Sequence, residues 1–538
     1  MTTIRPRFNP SPCSDPLAGV DPLHTENGGL WTPIITCPAD FPPDLFQVAV
    51  SQLIHHPEYN STLILRSQVI EDTVARFPDL VPTLQNLRPV RNIHRRLLPR
   101  RPTRDSGLNQ HCTLYAPHLP DVESLHPNVL VLTPVLPPGG CLPYYHPTVT
   151  HLAFRFVTST SSTLATLRIE AIPLPGTSLD PGARLYRTCL ALLETLHRYG
   201  WGALTQYKKR VIHDVLVPRE TYQDFYLIMR ERHKGLVNDW HEVTDPLKHV
   251  FEDIGIATFL MLLWKDSYGP ETIPSGHTDA INAKAPTDEP WHRWPRPPGG
   301  FVDLGCGNGL LTHILISEGY SGYGIDLRAR RSWVHYPTAT QTCLVVRALD
   351  PIAASVDYYP GVRPSEENQD RDKSEDKDIK NESQMTLLPL DSFLIGNHAD
   401  ELTPWVPLLA TRVRASGYLS IPCCAWGLDA RFDRARDVPL CAVDTEALNL
   451  GGGNESGDGV GSSYALYRVW LASLSVHCGW AVEVEVLRIP STRNWAIVGR
   501  KRVYPSEVAS RNVEELIEGV RKRGQFQTRY PEGKAGDH

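Results

Sequence analysis

Residues 301–326 read FVDLGCGNGLLTHILISEGYSGYGID, and this stretch decides the fold. The apolar run at 301–304 is typical of a short strand that is buried on both faces. Glycines follow at positions 305, 307 and 309, and leucine and isoleucine then recur at helical spacing. A second short strand leads to Asp326. The pattern predicts a strand, turn, helix, strand unit whose turn faces a ligand, because the first N–H groups of a helix have no partner within it.

The position of Asp326 indicates what this ligand carries. An acidic residue about 20 positions after a glycine turn accepts hydrogen bonds from ribose hydroxyls in this architecture. The dinucleotide fingerprint, however, needs glycine or alanine where this chain has Leu310. We therefore expect a ribose-bearing cofactor. One alternative is the nicotinamide cofactor of an oxidoreductase, which the fingerprint makes the weaker one. The other is a turn that binds no ligand and only packs the strand against the helix.

The G-x-G-x-G triplet, preceded by Asp303, resembles motif I of class I S-adenosylmethionine-dependent methyltransferases. In those enzymes the acid near the end of the first strand lies close to the methionine portion of the cofactor, and the acid after the second strand holds the ribose. The resemblance implies these roles for Asp303 and Asp326. It also implies that S-adenosylmethionine contacts the residues between and beside them, namely Gly305, Cys306, Gly307, Asn308, Gly309 and Leu327.

Length and composition limit the kinds of protein to which this chain can belong. A chain of 538 residues with 41% hydrophobic residues is long enough for two or more domains with sizeable cores. Its longest dense apolar run, 256–264, is far shorter than the roughly 20 residues of a membrane helix. The first residues contain no apolar signal core, so we expect a cytoplasmic protein that does not bind membranes. The 11 cysteines lack zinc-ligand spacing, which predicts reduced thiols and no metal.

A formal net charge of −6 argues against nucleic-acid binding over the whole surface and against a DNA-binding protein. Any RNA site must be local. The stretch 88–104, RPVRNIHRRLLPRRPTR, contains seven arginines and no acid, and Arg100 and Arg101 are its central pair. Its three prolines favour an extended arm over a helix. The alternative is a solvated face without a partner.

The chain is expected to divide near residue 240. Residues 1–240 form a proline-rich region with strand signals at 128–133, 151–157 and 166–173 and helical signals at 184–198 and 223–238. We interpret it as an α+β extension that binds RNA. From Thr244 the periodicity becomes helical, with Asp245 as N-cap. His249, Glu252 and Asp253 share one face of that helix, which favours a satisfied ion cluster or a pocket wall over a metal site.

Strand and helix signals continue to alternate through residues 241–505. Further strands are expected at 343–346, 392–395, 417–421, 481–487 and 495–498. Seven strands with intervening helices predict an α/β fold, the doubly wound, Rossmann-like sheet of class I methyltransferases. We expect a charged, disordered insertion at about 360–385, a flexible loop at about 430–460 and a C-terminal tail at 506–538.

Candidate catalytic residues follow the fourth strand, because ligands of open parallel sheets bind at the carboxyl edge. Asn397 is expected to orient a substrate hydroxyl or base, and His398, Asp400 and Glu401 are the candidates for proton acceptor. Asp400 has capping of the next helix as its alternative role. The fifth strand ends in Cys423 and Cys424. The alternatives are a nucleophilic thiol and a small core residue, and the lack of an adjacent basic residue favours the second.

Six strings in order resemble the eukaryotic tRNA (uracil-2'-O-)-methyltransferase family: TDPLKHVFEDIGIATFLMLLW, FVDLGCGNGLL, GYGIDLRARRSW, LIGNHADELTPW, IPCC and LRIPSTRNWAIVG. The match covers most of residues 240–500, and PRRP at 99–102 also fits. The resemblance implies S-adenosylmethionine as donor, a cytoplasmic setting and, as acceptor, the ribose 2'-hydroxyl of uridine 44 in serine tRNA. An accessory protein is neither indicated nor excluded.

Methyl transfer of this kind asks the protein mainly to align the reactants and to help remove one proton. The preferred order of bases is Glu401, then Asp400, then His398. Arg493 is the candidate phosphate clamp, with a salt bridge as its alternative role, and Arg100 and Arg101 are the candidate tRNA contacts. A methyltransferase-like scaffold that binds RNA without catalysis is the second alternative function.

Overall fold

The computed structural model describes residues 5–13, 21–26, 28–29, 31–118, 126–158, 165–207, 211–269, 289–352, 388–450 and 462–524. Two compact units divide the chain, Met1–Lys208 and Lys209–His538. The expected insertion at 360–385 lies outside the described residues, as does the part of the expected loop after residue 450. Most residues at 431–450 are exposed, and Leu450 is fully buried in a cluster with Val484, Val486 and Trp495.

The first unit is an antiparallel sheet with two helices. Its strands follow the order β1-β2-β8-β7-β6-β5-β4-β3. They are β1 (Ser11–Pro12), β2 (Thr32–Pro38), β3 (Ile64–Thr73), β4 (Leu87–Pro99), β5 (Leu108–Pro117), β6 (Val129–Val135), β7 (Val149–Val157) and β8 (Thr166–Pro173). Helices α1 (Phe46–His55) and α2 (Arg184–Leu204) pack their apolar faces on this sheet. The strand and helix signals of this region fall on β6, β7, β8 and α2.

The arginine-rich run at 88–104 is not an extended arm, because most of it forms β4 between β3 and β5. Arg95 is buried inside the unit. Its guanidinium donates to Gln110 Oε1 at 3.0 Å and to the carbonyls of Leu53 and Ile54 at the end of α1. A cation at that position satisfies helix carbonyls that have no partner within the helix. Four of the five exposed arginines of the run lie at or beside the β4–β5 turn, namely Arg96, Arg100, Arg101 and Arg104, and the fifth, Arg88, lies at the start of β4.

The second unit contains a seven-stranded sheet of order β11-β10-β9-β12-β13-β15-β14. Its strands are β9 (Phe301–Leu304), β10 (Gly322–Asp326), β11 (Leu344–Val346), β12 (Phe393–Asn397), β13 (Gly417–Ile421), β14 (Trp480–Val486) and β15 (Trp495–Arg502). The first five are parallel, and β15 runs antiparallel to both of its neighbours. The strand order reverses between β9 and β12, which opens a crevice at their carboxyl ends.

Helices cover both faces of this sheet. They are α3 (Arg219–His233), α4 (Pro246–Ser267), α5 (Leu310–Ser317), α6 (Thr338–Gln341), α7 (Trp405–Arg412), α8 (Ser463–His477) and α9 (Ser506–Arg523). Alternate strand residues point to opposite sides: Phe301 joins the core with α3, α4 and α5, whereas Val302 joins the core with α7, α8 and α9. The expected tail at 506–538 therefore begins as a packed helix, with Val513, Ile517 and Val520 buried.

The division between the units precedes residue 240 because α3 packs on α4 and so belongs to the second unit. Helix α4 begins as expected, since the Asp245 carboxylate accepts a hydrogen bond from Leu247 N–H at 3.0 Å. Within the described residues, no helix combines the length and apolarity that crossing a bilayer requires.

Candidate active site

The glycine turn between β9 and α5 is held in a conformation that suits glycine. Gly305, Gly307 and Gly309 have φ angles of +70°, +55° and +76°, a region that residues with a side chain rarely adopt. A Cβ atom at Gly309 would also lie 2.9 Å from a methyl group of Leu344, whereas one at Gly307 would meet nothing within 4 Å. The turn is thus closely packed on one side and open on the other.

Two residues assigned to the cofactor shape this turn from inside the protein. The side chain of Cys306 is buried in a small cluster with Trp333 and Leu344, and burial raises the pKa of its thiol well above the usual value. Asn308 Oδ1 accepts a hydrogen bond from Leu310 N–H at 2.9 Å, which satisfies a free donor at the start of α5. The Cys306 side chain thus faces the core, and the Asn308 side chain caps the helix through its oxygen.

Asp326 ends β10 beside the turn. Its Oδ2 accepts a hydrogen bond from Gly307 N–H at 2.9 Å, and its Oδ1 accepts one from Arg328 N–H at 3.2 Å. A carboxylate oxygen accepts two hydrogen bonds, so each oxygen retains capacity for one more. Asp326 is therefore fixed in place and able to receive the two hydroxyls of a ribose.

A cavity of about 70 Å³ adjoins Asp326 at the carboxyl edge of the sheet. Its walls are largely apolar, with Glu401 as the other acid, and consist of Leu304, Gly305, Ile325, Asp326, Leu327, Arg347, Ala348, Leu349, Glu401 and Leu402. An apolar cavity next to a carboxylate that can accept hydrogen bonds from a ribose suits a planar base. Leu327 and Glu401 therefore belong to the nucleoside side of the crevice.

Asp303 lies in β9 beneath the turn and is fully buried. Its Oδ2 accepts a hydrogen bond from the Thr312 hydroxyl at 3.0 Å, whereas its Oδ1 has no hydrogen-bond partner among the described residues. Burial raises the pKa of Asp303 to about 7, and the nearby Asp326 adds to the effect. A bound cation would reverse this shift, so the position fits the methionine portion of S-adenosylmethionine.

Helix α4 brings a second acid to the same place. Asp253 Oδ1 accepts a hydrogen bond from Asn397 Nδ2 at 3.3 Å. Burial raises the pKa of Asp253 well above its usual value, and the charges of Glu252 and Asp303 act in the same direction. The face of α4 that the sequence predicts as a pocket wall thus borders the end of β12.

His398 forms an oriented pair with Glu252. Its Nε2 lies 3.2 Å from Glu252 Oε1, and its Nδ1 has no hydrogen-bond partner in the part of the chain that the structure describes. Burial acts to raise the pKa of Glu252, but hydrogen bonds from His398 and Ser491 outweigh it and lower that pKa. Because a carboxylate only accepts, Nε2 carries the proton and Nδ1 is the basic nitrogen.

The four candidate catalytic residues after β12 therefore lie in three different surroundings. Asn397 and His398 contact the acids of α4, whereas Glu401 lines the nucleoside cavity. Asp400 Oδ1 accepts a hydrogen bond from the Cys423 thiol at 3.4 Å. Together with Cys424 these two residues place three potential metal ligands within 4.8 Å of one another. Burial raises the pKa of Cys423, which favours the neutral thiol.

The candidate substrate residues lie elsewhere. Arg493 is exposed, and its guanidinium carbon is 3.9 Å from the ring centre of Tyr464, so it stacks on a tyrosine where the sequence suggests a phosphate clamp or a salt bridge. Arg100 and Arg101 belong to the first unit, where Arg100 Nε donates to the Ile64 carbonyl at 3.2 Å.

Sequence reasoning missed residues that fix the turn from a distance. Trp333 Nε1 donates to Gly307 O at 2.9 Å, and the Ser332 hydroxyl donates to Asn308 O at 2.8 Å. Glu242 in turn accepts hydrogen bonds from the Ser332 hydroxyl and amide. The only signal for the first two was their place in the string GYGIDLRARRSW.

Comparisons with known proteins agree with this geometry. Residues 10–210 match the family model "TRM44-like, N-terminal bet v1-like domain", and residues 216–279 and 292–351 match "Predicted AdoMet-dependent methyltransferase". The chain is 33% identical over 488 residues to a Neurospora crassa protein called tRNA (uracil-O(2)-)-methyltransferase, with 88% of this chain and 87% of the relative covered. A Schizosaccharomyces pombe protein of the same name is 33% identical, covering 89% and 87%.

A Saccharomyces cerevisiae relative of that name is 30% identical, with 88% of this chain and 87% of the relative covered. The two family models match parts of both units, and the second covers the glycine turn and Asp326. The chain therefore belongs to the tRNA (uracil-O(2)-)-methyltransferase family.

Proposed function

We propose that this chain transfers a methyl group from S-adenosylmethionine to the ribose 2'-hydroxyl of a uridine in tRNA, and that this uridine is position 44 of serine tRNA. One observation supports this reaction. The same edge of the sheet holds a carboxylate that can accept hydrogen bonds from a ribose (Asp326), two buried acids (Asp303 and Asp253) and an oriented histidine (His398). Family membership supports tRNA as substrate. The precise nucleotide and the cytoplasmic setting rest on the resemblance of the sequence motifs.

The cofactor would be held along the carboxyl ends of β9 and β10, in the doubly wound, class I arrangement. Asp326 would receive the ribose hydroxyls, the apolar cavity beside Leu327 would take the base, and the backbone of the turn from Gly305 to Gly309 would pass beneath. Asp303 and Asp253 would face the positive charges. When bound, the cofactor supplies an electrophilic methyl group on its sulfonium.

The protein's own contribution is to position the 2'-hydroxyl and to receive its proton. We assign the base to His398 Nδ1, because Glu252 orients the ring and stabilises the imidazolium that forms, the arrangement that activates histidine bases generally. This reverses the order predicted from the sequence. Glu401 lies in the nucleoside cavity, and Asp400 is engaged by the Cys423 thiol.

Asn397 is the candidate positioning residue for the acceptor. Its amide nitrogen donates to Asp253, while its Oδ1 is buried and has no hydrogen-bond partner among the described residues. An amide oxygen held in this way accepts a hydrogen bond from a hydroxyl donor. We propose that it receives a hydroxyl of the target nucleotide.

The test is methyl transfer by the full chain, using labelled S-adenosylmethionine and total tRNA from cells that lack the endogenous enzyme, followed by nucleoside mapping. Asp326→Ala is the inactive control, and Asp239→Ala removes an exposed carboxylate from the same unit. We expect label in 2'-O-methyluridine of serine tRNA, lost only in Asp326→Ala. Label on another nucleotide would overturn the assigned position. Tight tRNA binding without cofactor binding would favour the scaffold.

A further inference from the structure

Two arginines of the second unit share one aromatic ring. The guanidinium carbon of Arg493 lies 3.9 Å from the ring centre of Tyr464, and that of Arg468 lies 5.2 Å from the same centre. Arg468 is also 3.6 Å from the ring centre of Trp495. The rings hold both guanidinium groups in place. Two like charges on one ring repel each other, and an anion between them would remove that repulsion.

Arg468 is unusual because it is a buried cation with unused donors. The residue is only 6% exposed, and it makes one hydrogen bond, from Nη2 to Leu450 O at 2.7 Å. Its Nε and Nη1 have no hydrogen-bond partner within the described ranges. Burial lowers its pKa to about 10, and the charge of Arg493 contributes. Burying donors without partners costs free energy, which a ligand that accepts from them would recover.

No carboxylate neutralises this pair. Across the residues that the structure describes, neither guanidinium has an aspartate or glutamate within ion-pair distance, although other arginines of this unit, such as Arg488 and Arg500, are paired in that way. The pair is therefore a local positive site in a chain whose formal net charge is −6.

Contacts connect this site to the proposed catalytic group. The Tyr464 hydroxyl donates to Pro422 O at 2.8 Å, directly after β13. Ser491, two residues before Arg493, hydrogen-bonds to Glu252, which orients His398. The arginines are thus linked through Tyr464 to the carboxyl end of β13 and through Ser491 to the Glu252–His398 pair.

We propose that Arg468 and Arg493 jointly bind one backbone phosphate of the RNA beside the target ribose. The inference rests on the proposed function and adds a residue, Arg468, and a ligand group to it. Guanidinium groups match phosphate oxygens in geometry and charge, and two of them can each donate to a different oxygen. The free Nε and Nη1 of Arg468 are the donors, and Arg493 closes the site from the surface.

The test measures binding of total tRNA to the full chain at several salt concentrations. Arg493→Gln and Arg468→Gln should each weaken binding about ten-fold, and each should lower the slope of log Kd against log salt by about one. Arg511→Gln, which removes an exposed charge on α9, should leave the slope unchanged. The dissociation constant for S-adenosylmethionine should stay at its original value in all three variants.

Arg493 is exposed, so its variant keeps the test valid if Arg468→Gln does not fold. An unchanged salt slope in Arg493→Gln, or the absence of salt-dependent tRNA binding by the unaltered chain, would overturn the site. The two proposals fail separately. A reduced slope without any methyl transfer by the unaltered chain would leave the phosphate site standing and remove the reaction, whereas methyl transfer with an unchanged slope would remove only the site.

Discussion

The two sides of the crevice differ in how their polar atoms are satisfied. On the nucleoside side, Asp326 accepts two backbone hydrogen bonds and Asn308 accepts another, and these bonds fix the glycine turn, although Glu401 Oε2 in the adjoining cavity has no hydrogen-bond partner among the described residues. On the acceptor side, at and near the ends of β12 and β13 where the target ribose is proposed to bind, three buried atoms have no hydrogen-bond partner among the described residues. They are Asn397 Oδ1, His398 Nδ1 and Ser420 Oγ.

The difference shows which part of the site is preorganised and which part depends on its ligands. Unsatisfied buried groups destabilise a folded protein, and they are tolerated where a function uses them. A cofactor of constant structure can be received by a rigid turn. The proposed acceptor is one nucleotide of an RNA, and buried atoms that gain hydrogen bonds on its arrival would help to offset the cost of ordering it.

The largest expected effect tests the acceptor side directly. His398→Gln should lower kcat by roughly 10²–10⁴-fold, because it removes the proposed base, and should leave the dissociation constant for S-adenosylmethionine unchanged. Kinetics at saturating cofactor measure kcat, and calorimetry measures the dissociation constant for the cofactor. Glu401→Gln is the matched variant and should change cofactor affinity more than kcat. The opposite pattern would return the base to Glu401.

A substitution on the nucleoside side should change the affinity for the cofactor and not the rate of methyl transfer. Asp326→Asn should weaken S-adenosylmethionine about 10- to 100-fold, because it removes a charged acceptor from the ribose hydroxyls. Asp239→Asn, an exposed change in the same unit, serves as control. Normal cofactor affinity in Asp326→Asn would contradict the idea that this side is preorganised for a ribose.

The pH dependence of stability separates the two sides further. In the folded protein Asp303 has a pKa of about 7, above its ordinary value near 3.8, so the folded state keeps a proton that the unfolded chain has lost. The free energy of unfolding should therefore fall as pH rises from about 4 to about 7, by at most about 1.4 kcal/mol per unit. Asp253 adds a slope of the same sign.

Urea unfolding of the ligand-free chain between pH 4 and pH 8 measures this dependence. Asp303→Asn should flatten the slope, and Asp326→Asn should leave most of it in place. An unaltered slope in Asp303→Asn would mean that the buried carboxyl does not retain its proton.

The smallest effect concerns the first unit. Arg100→Gln together with Arg101→Gln should weaken tRNA binding by a few-fold, since exposed charges contribute modestly and are screened by salt. Filter binding at low and moderate salt measures the change, and kcat at saturating tRNA should not fall. If affinity stays constant, the exposed end of the β4–β5 hairpin is a solvated face.

The sequence predicts the nucleoside side well because its signals are local. The strand, the three glycines, the helix and Asp326 lie within 26 consecutive residues, and each expected element is present. The acceptor side depends on distant contacts. His398 and Glu252 are 146 positions apart, so no spacing rule links them. Arg468 appears as an ordinary polar residue of a helix until Tyr464, Trp495 and Arg493 surround it.

Composition alone misled in two places. The arginine-rich run appears as a charged arm, yet Ile93, Arg95 and Leu97 alternate on the buried face of β4. The period of two is visible in the sequence, but composition does not identify an arginine within it as a core position. At the C-terminus, Val513, Ile517 and Val520 recur at helical spacing, which is the local signal for the packed helix.

The placement of β15 sets an order in which the sheet can be completed during synthesis. Residues 418–420 of β13 pair with β15, which is synthesised only after α8 and β14. Until then β13 has an open edge, the kind of surface that pairs with foreign strands. The nucleoside side, formed by β9, β10 and β11, can assemble before that point. Nascent chains that stop between β13 and β15 should therefore present a partly formed sheet to chaperones.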